Sequence, residues 1–155
     1  MKNPGYPGPQ GLYHPEYEHE ACGIGMVANI NGKKSHDIVE HAITILCNLE
    51  HRGGQSADTS TGDGAGILTQ IPHSFFEKQC EKENIELPEA GKYGIGMIFL
   101  PQDPEVRKKT QKQIENVIKE EGQVFLGWRT VPVNDSFVGD MAKKSKPFIR
   151  QMFIA

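Results

Sequence analysis

Cysteine is scarce in this chain, with three in 155 residues. An odd count with no Cys-x-x-C pair and no Cys/His metal spacing suggests neither a disulfide framework nor a zinc site. No metal is therefore expected in this chain, and the cysteine usage fits a reducing cytoplasm. Net charge is also low, at −3, which leaves no electrostatic footprint for nucleic acid. No apolar run approaches the roughly 20 residues of a membrane span, so no membrane partner is expected. Residues 1–21 lack the apolar core of a signal peptide, and the approach to Cys22 lacks the apolar stretch of a lipoprotein signal. Internal repeats and low-complexity tracts are absent. What remains is one domain, or part of one, long enough to bury a core.

Against that background the stretch Ala21-Cys22-Gly23-Ile24-Gly25-Met26-Val27-Ala28 stands out. A small residue precedes a cysteine, and the cysteine opens an apolar run broken by glycines. Cleavage between Ala21 and Cys22 gives one residue two tools, a thiol nucleophile and a new α-amino base. A free α-amine titrates at about 7.7–8.0 and a cysteine thiol near 8.5. Both lie close to cytoplasmic pH, where a base and a nucleophile are most effective. The amine can take the thiol proton directly or through one water, with no separate histidine. The plainer reading is a buried cysteine that begins a strand, since free cysteine packs as a small hydrophobe.

Residues 1–21, rich in Pro, Gly, Tyr, His and Glu, read as a leader or as an extended arm over the domain. Gly23–Ile30 suits a buried strand, with Gly23 and Gly25 leaving room for backbone or ligand to approach Cys22. Asn31-Gly32 signals a tight turn. Ser35 is a plausible N-cap for a helix to about Glu50, whose Ile38, Ala42, Ile45, Leu46 and Leu49 recur on one face. Cys47, next to that face in sequence, is assigned to core packing; His36 and His41 are assigned to solvent. His51-Arg52-Gly53-Gly54 ends the helix. Arg52 has two readings, a cation complementing the helix dipole or a fixed guanidinium near the nucleophile or a substrate carboxylate. Thr61-Gly62-Asp63-Gly64-Ala65-Gly66 lacks the Gly-Lys-Ser/Thr of a phosphate loop. It reads as a turn feeding a core strand, Ile67–Ile71, with Asp63 bonding the turn's own backbone.

Further along, Pro72 opens a short helix through Phe75, Phe76 and Cys80, followed by a charged connection from Glu81 to Glu89. Tyr93–Leu100 reads as a strand. Asp103-Pro104-Glu105 starts a helix that ends at Gly122 and carries Val106, Ile114, Val117 and Ile118 on one side. Gln123–Val133 reads as a strand, with Trp128 as packing and Arg129 as surface. Met141–Lys144 suits one helical turn, and Phe148–Ala155 is a final apolar run that ends without a turn or polar tail, as in a truncated chain. Strands and helices alternate and the leading strands look paired by tight turns, which gives an α+β layered domain.

Three blocks together carry a family resemblance: Ala-Cys-Gly-Ile-Gly at 21–25, His-Arg-Gly at 51–53 and Thr-Gly-Asp-Gly-Ala-Gly-Ile at 61–67. Lys146-Pro147-Phe148-Ile149-Arg150-Gln151-Met152-Phe153-Ile154 adds to it. From Cys22 to Ala155 the chain resembles the N-terminal class II glutamine amidotransferase (glutaminase) domain of the glutamate synthase large-subunit family. Cys-Gly-Ile-Gly with His-Arg-Gly alone indicates any class II amidotransferase; the Gly-Asp-Gly-Ala-Gly block narrows it to the glutamate synthase branch. The resemblance implies an N-terminal nucleophile (Ntn) hydrolase fold, a four-layer αββα sandwich, here incomplete at its C-terminus. It implies a leader at 1–21 whose removal exposes Cys22, and an amidotransferase domain from 22 to 155. Cys22 would be the catalytic nucleophile toward L-glutamine; Arg52 and Gly23 would order the site or bind substrate. The ammonia released would meet 2-oxoglutarate in downstream synthase domains that hold FMN and an iron–sulfur cluster, so the resemblance implies no cofactor in this chain. Electrons would come from an electron-donating subunit or ferredoxin.

Two departures shape the expectation. The family's Asn-Gly oxyanion donors and its glutamine-clamping residues lie later in the domain and have no equivalents before Ala155. An acyl-transfer site can lose about 10²–10³ in rate per missing donor. With residues 1–21 in place, moreover, the Cys22 amine is tied up in a peptide bond. A catalytically incomplete piece of an amidotransferase is therefore expected. The alternatives are a non-catalytic binding or assembly module that keeps the fold, or another class II branch such as those making glucosamine phosphate or phosphoribosylamine.

Overall fold

A computed structural model describes residues 8–12, 14, 23–54, 60–62 and 64–155. Ala21, Cys22 and Asp63 lie outside the described residues, as does the side chain of Arg52. The chain divides into two compact units, one from Met1–Gly54 with Gly62–Ile67, the other from Gln55–Thr61 with Leu68–Ala155.

The first unit is organised by helix α1, His36–Asn48, which runs on into a 3₁₀ turn at Glu50–Arg52. Ser35 holds the N-cap position with extended backbone, but its side chain makes no capping hydrogen bond. Ile38, Ala42, Ile45, Leu46 and Leu49 are half-buried, so the stripe read from the sequence is the face the helix covers. Cys47 is exposed, not core. At about 100° per residue it points roughly 150° away from the centre of that stripe, so adjacency in sequence misplaced it. His36 and His41 are exposed, as anticipated.

Gly23–Ile30 and Ile67–Ile71 are not strands. Ile24, Met26 and Ile30 are at least 90% exposed, and Leu68 is fully so. A strand exists only where its backbone groups find a ladder partner. Among the described residues the one multi-stranded sheet is built from other segments. The Asn31-Gly32 turn does form, with Gly32 donating its N–H to Asn29 O at 2.9 Å and taking φ +67. It joins no pair of strands.

The second unit follows the sequence reading more closely. Its elements are α2 (His73–Lys82), β1 (Gly94–Leu100), α3 (Pro104–Glu120), β2 (Phe125–Thr130), α4 (Asp140–Ser145) and β3 (Phe148–Ile154). Asp103 caps α3, its Oδ1 accepting from the N–H groups of Glu105 and Val106 at 2.9 Å each. Pro104 fills the first turn, where no N–H partner is needed. The strand order is β1-β3-β2, and both pairs are antiparallel. β1 and β2 therefore run parallel to each other, and the chain between them must cross the sheet. That crossover is α3.

Alternation along β3 sorts the two faces of the sheet. Phe153 and Gln151 point toward α2, where Phe76 meets Phe153 edge-on with ring centroids 5.5 Å apart. Cys80, Ile85 and Tyr93 complete this core, and a Cβ on Gly127 would sit 2.7 Å from Ile85. On the other face Trp128 donates its indole N–H to Glu115 Oε1 at 2.7 Å, tying α3 to β2.

Two side-chain assignments change. Arg129 is buried, not a surface residue. It lies opposite Gln151 in the register, on the face alternation turns inward. Val106 and Val117 are half exposed. The covered face of α3 runs through Arg107, Gln111, Ile114 and Ile118 instead. Arg107 stacks 4.0 Å over the Phe148 ring and donates to Gln102 O at 2.7 Å. A long cationic side chain thus covers apolar surface that the apolar pattern assigned to valines.

Candidate functional site

In the first unit the sequence motifs come together around the end of α1. The segment leaving Cys22 lies along this helix, in contact at two points. A Cβ on Gly23 would sit 2.9 Å from Leu49 Cδ2, and one on Gly25 would sit 2.2 Å from Ile45 Cγ2. The spacings match: two residues of extended chain span about 6.6 Å, and four residues of helix about 6 Å. Glycines two apart therefore land on helix side chains four apart. The segment runs antiparallel to α1, with Gly23 at the helix's C-terminal end. The atoms that come close to these glycines are side-chain atoms of Leu49 and Ile45; the expected approach of backbone or ligand to Cys22 falls on a residue outside the described ones.

The 3₁₀ turn follows Leu49 directly. Its last residue is Arg52, and Gly53 closes it by donating to Glu50 O at 2.9 Å. Gly53 has φ −76 and ψ 133, so it stops the helix in extended rather than left-handed geometry. His51 Nδ1 lies 3.0 Å from Asn48 O. A carbonyl only accepts, so in this contact Nδ1 is the donor. The glycine-rich block also comes close to the chain that leaves this turn: a Cβ on Gly62 would sit 3.2 Å from Gly54 O. Gly23, the Arg52 turn and the Gly62 segment thus meet at one end of one helix.

Of the residues singled out for chemistry, Gly23 is placed fully, Arg52 by its backbone, and Cys22 lies outside the described residues. The sequence reading did not single out Ile45 and Leu49 beyond their packing face, nor Gly54. The signal for the first two was present: the Gly-x-Gly spacing matches one helical turn in length.

The other described cysteines make poor nucleophiles or stand elsewhere. Cys80 is fully buried in the second unit, and burial pushes its thiol up, with Arg129 acting against that and Glu83 with it. Cys47 is on the exposed side of α1. An open cleft beside α2 is lined by Glu77, Glu81 and Glu86 with Lys78, and no thiol or hydroxyl nucleophile lines it. Among the described residues no three His, Cys, Asp or Glu side chains converge as metal ligands. Among those residues no helix is long and apolar enough to cross a membrane.

Comparison with known proteins adds a family match. The model of class II glutamine amidotransferases matches residues 22–155. The NADPH glutamate synthase large chain of Bacillus subtilis is 57% identical over 148 residues, covering 96% of this chain and 10% of its own length. The ferredoxin-dependent glutamate synthase 2 of Synechocystis is 42% identical over 137 residues, covering 88% of this chain and 9% of its own length. The NADH glutamate synthase of Saccharomyces cerevisiae is 43% identical over 150 residues, covering 94% and 7%. The chain thus spans a tenth or less of the length of these relatives.

Proposed function

Because the chain belongs to the class II glutamine amidotransferases and matches that domain of glutamate synthase large chains, we propose that it supplies the nucleophile of a glutaminase. The observation that carries this reading is where the family match begins. It starts at Cys22, the residue whose α-amine and thiol together form a base and a nucleophile. Residues 1–21 are the leader that is removed to free that amine.

In the proposed reaction the α-amine takes the thiol proton and the thiolate attacks the side-chain amide carbon of glutamine. A carbon–sulfur bond forms as the carbonyl π-bond opens. The tetrahedral adduct collapses, its carbon–nitrogen bond breaks, and the departing nitrogen takes the proton from the α-ammonium. Ammonia leaves and a γ-glutamyl thioester remains. Water, deprotonated by the same amine, adds to the thioester and releases glutamate and the thiol. The Arg52 turn orders the nucleophile segment or receives the substrate carboxylate.

The complete site is read as a four-layer αββα sandwich of the Ntn type, of which the three-stranded sheet and its helices are one part. The ammonia is used to make glutamate from 2-oxoglutarate. FMN and an iron–sulfur cluster belong to synthase domains other than this one, with ferredoxin or a nicotinamide-dependent subunit as electron source, in a reducing cytoplasm.

The test uses the natural polypeptide that carries residues 1–155. Its mature N-terminus, read by sequencing or intact mass, is expected at Cys22. Cys22→Ala is expected to abolish glutamine hydrolysis while the protein stays folded. An active enzyme that keeps residues 1–21, or an active Cys22→Ala, overturns the mechanism. Failure of Cys22 to react with the glutamine-like electrophile diazo-oxo-norleucine would favour a binding module that keeps only the fold.

A further inference from the structure

We propose that α1 positions the nucleophile, with Ile45 and Leu49 as positioning residues that set where Cys22 stands. The proposal rests on the reading of Cys22 as the nucleophile and adds what holds it. Cys22 is joined to Gly23 by one peptide bond, whose covalent geometry keeps consecutive Cα atoms no more than about 3.8 Å apart. Wherever the backbone at Gly23 is held, the nucleophile is held within one peptide unit of it.

Two contacts hold that backbone. Ile45 Cγ2 lies 2.2 Å from the place of a Cβ on Gly25, and Leu49 Cδ2 lies 2.9 Å from the place of one on Gly23. One contact alone would set the height of the segment over the helix. Two contacts, one helical turn apart, also set its direction. They differ in stiffness. Ile45 is β-branched, and its Cγ2 is attached directly to Cβ, so it moves only if χ1 or the helix moves. The Leu49 methyls end a longer side chain and can give by rotation. Ile45 is therefore the firm anchor and Leu49 the finer adjustment nearest the thiol. The same helix continues into the turn that ends at Arg52. Ile45 within α1 and Leu49 at its C-cap thus bear on the nucleophile segment, and the backbone of Arg52 follows three residues after Leu49.

Such an arrangement makes the site sensitive to the sum of two volumes. A methyl added at Gly25 or Gly23 lifts the segment off the helix, and a side chain shortened at Ile45 or Leu49 lets it settle or wander. Adding the methyl and removing the side chain together restores the fill. Ordinary core packing would move stability; a positioning role moves turnover as well, because a displacement of about 1 Å at a reacting centre can cost about 100-fold in rate.

The experiment is a pair of size-swap cycles in the natural polypeptide. One consists of Gly25→Ala, Ile45→Ala and the double variant, the other of Gly23→Ala, Leu49→Ala and its double. For each folded variant, kcat and KM for glutamine and the rate of Cys22 alkylation by diazo-oxo-norleucine are measured. The single variants are expected to lose about 10- to 100-fold in kcat, with KM little changed and alkylation slowed in parallel. Each double variant is expected to recover most of the loss. If Gly25→Ala fails to fold, the softer Gly23 and Leu49 pair decides. Folded single variants with unchanged kcat, or losses that simply multiply in the doubles, overturn the proposal while Cys22→Ala remains inactive. An active Cys22→Ala overturns the nucleophile reading and this proposal with it.

Discussion

Arg129 donates a 2.7 Å hydrogen bond from Nη1 to Gln151 Oε1, directly across the β2–β3 pair and inside the second unit. Both side chains are buried, and the guanidinium carbon lies 5.8 Å from the centre of the Phe75 ring. Among the described residues no carboxylate bridges to this arginine. A guanidinium cannot shed its proton in a protein, so the Gln151 carbonyl oxygen carries much of the compensation for burying it. Gln151→Leu is expected to destabilise the fold by about 1–3 kcal/mol, the cost of leaving a buried polar group unsatisfied. Arg129→Met combined with Gln151→Leu should recover part of that loss, because both polar partners are then gone. Urea midpoints of the two singles and the double check this. A double variant as unstable as the sum of the singles would show that the bond matters little.

A second pair lies on the surface. Lys146 Nζ bonds Asp135 Oδ2 and ties the turn after β2 to the start of β3. The Lys146 hydrogen bond and charge hold the Asp135 carboxyl below its ordinary value of 3.8. A carboxylate with a depressed folded-state pKa contributes stability that is present above the unfolded value and lost as pH falls through the folded one. Asp135→Asn is therefore expected to lower the melting temperature at pH 7 and to have no effect once the pH is well below 3.8. Salt should shrink the difference at pH 7, since exposed charges are screened. Melting curves at both pH values, with and without added salt, test the sign.

The cysteines should separate by reactivity. Burial pushes the Cys80 thiol up and leaves it no solvent access, and the thiolate is the form that reacts. Cys47 stands exposed on α1. With a small alkylating reagent on the native chain, Cys47 is expected to label promptly and Cys80 only after unfolding. Peptide mass mapping over time reads both. Early labelling at Cys80 would mean that the core around Phe76 and Phe153 opens readily.

Arg52 ends the 3₁₀ turn beyond α1, and its two readings part on one substitution. A cation at a helix end is worth about 0.3–1 kcal/mol, and lysine supplies it as well. A guanidinium that orders the nucleophile or binds a carboxylate uses its planar fork, which lysine lacks. Arg52→Lys is expected to cut kcat/KM for glutamine well over tenfold in the natural polypeptide and to leave the melting curve almost unmoved. Unchanged kinetics would leave the helix-end reading standing.

Local chemistry was legible in the sequence. Asp103-Pro104 marked the start of α3, Pro72 the start of α2, and the 3.6-residue spacing of Ile38, Ala42, Ile45 and Leu49 marked the covered face of α1. These features depend on residues within a turn or two of each other, so the sequence by itself determined them. It also determined the family, because Cys22, Arg52 and the glycine-rich block are chemical identities that need no coordinates.

Only the tertiary structure decided which apolar runs became strands. Gly23–Ile30 and Phe148–Ile154 look alike as runs, yet only the second has partners on both sides, and a strand is a property of the pair. Partnering also buried Arg129 opposite Gln151, put Arg107 rather than Val106 against the sheet, and left Cys47 outside. In the same way Gly23 and Gly25 acquired their meaning from Leu49 and Ile45, which lie 26 and 20 residues further along. Contacts of that kind depend on where the chain returns, and no local pattern of volume or polarity encodes the return.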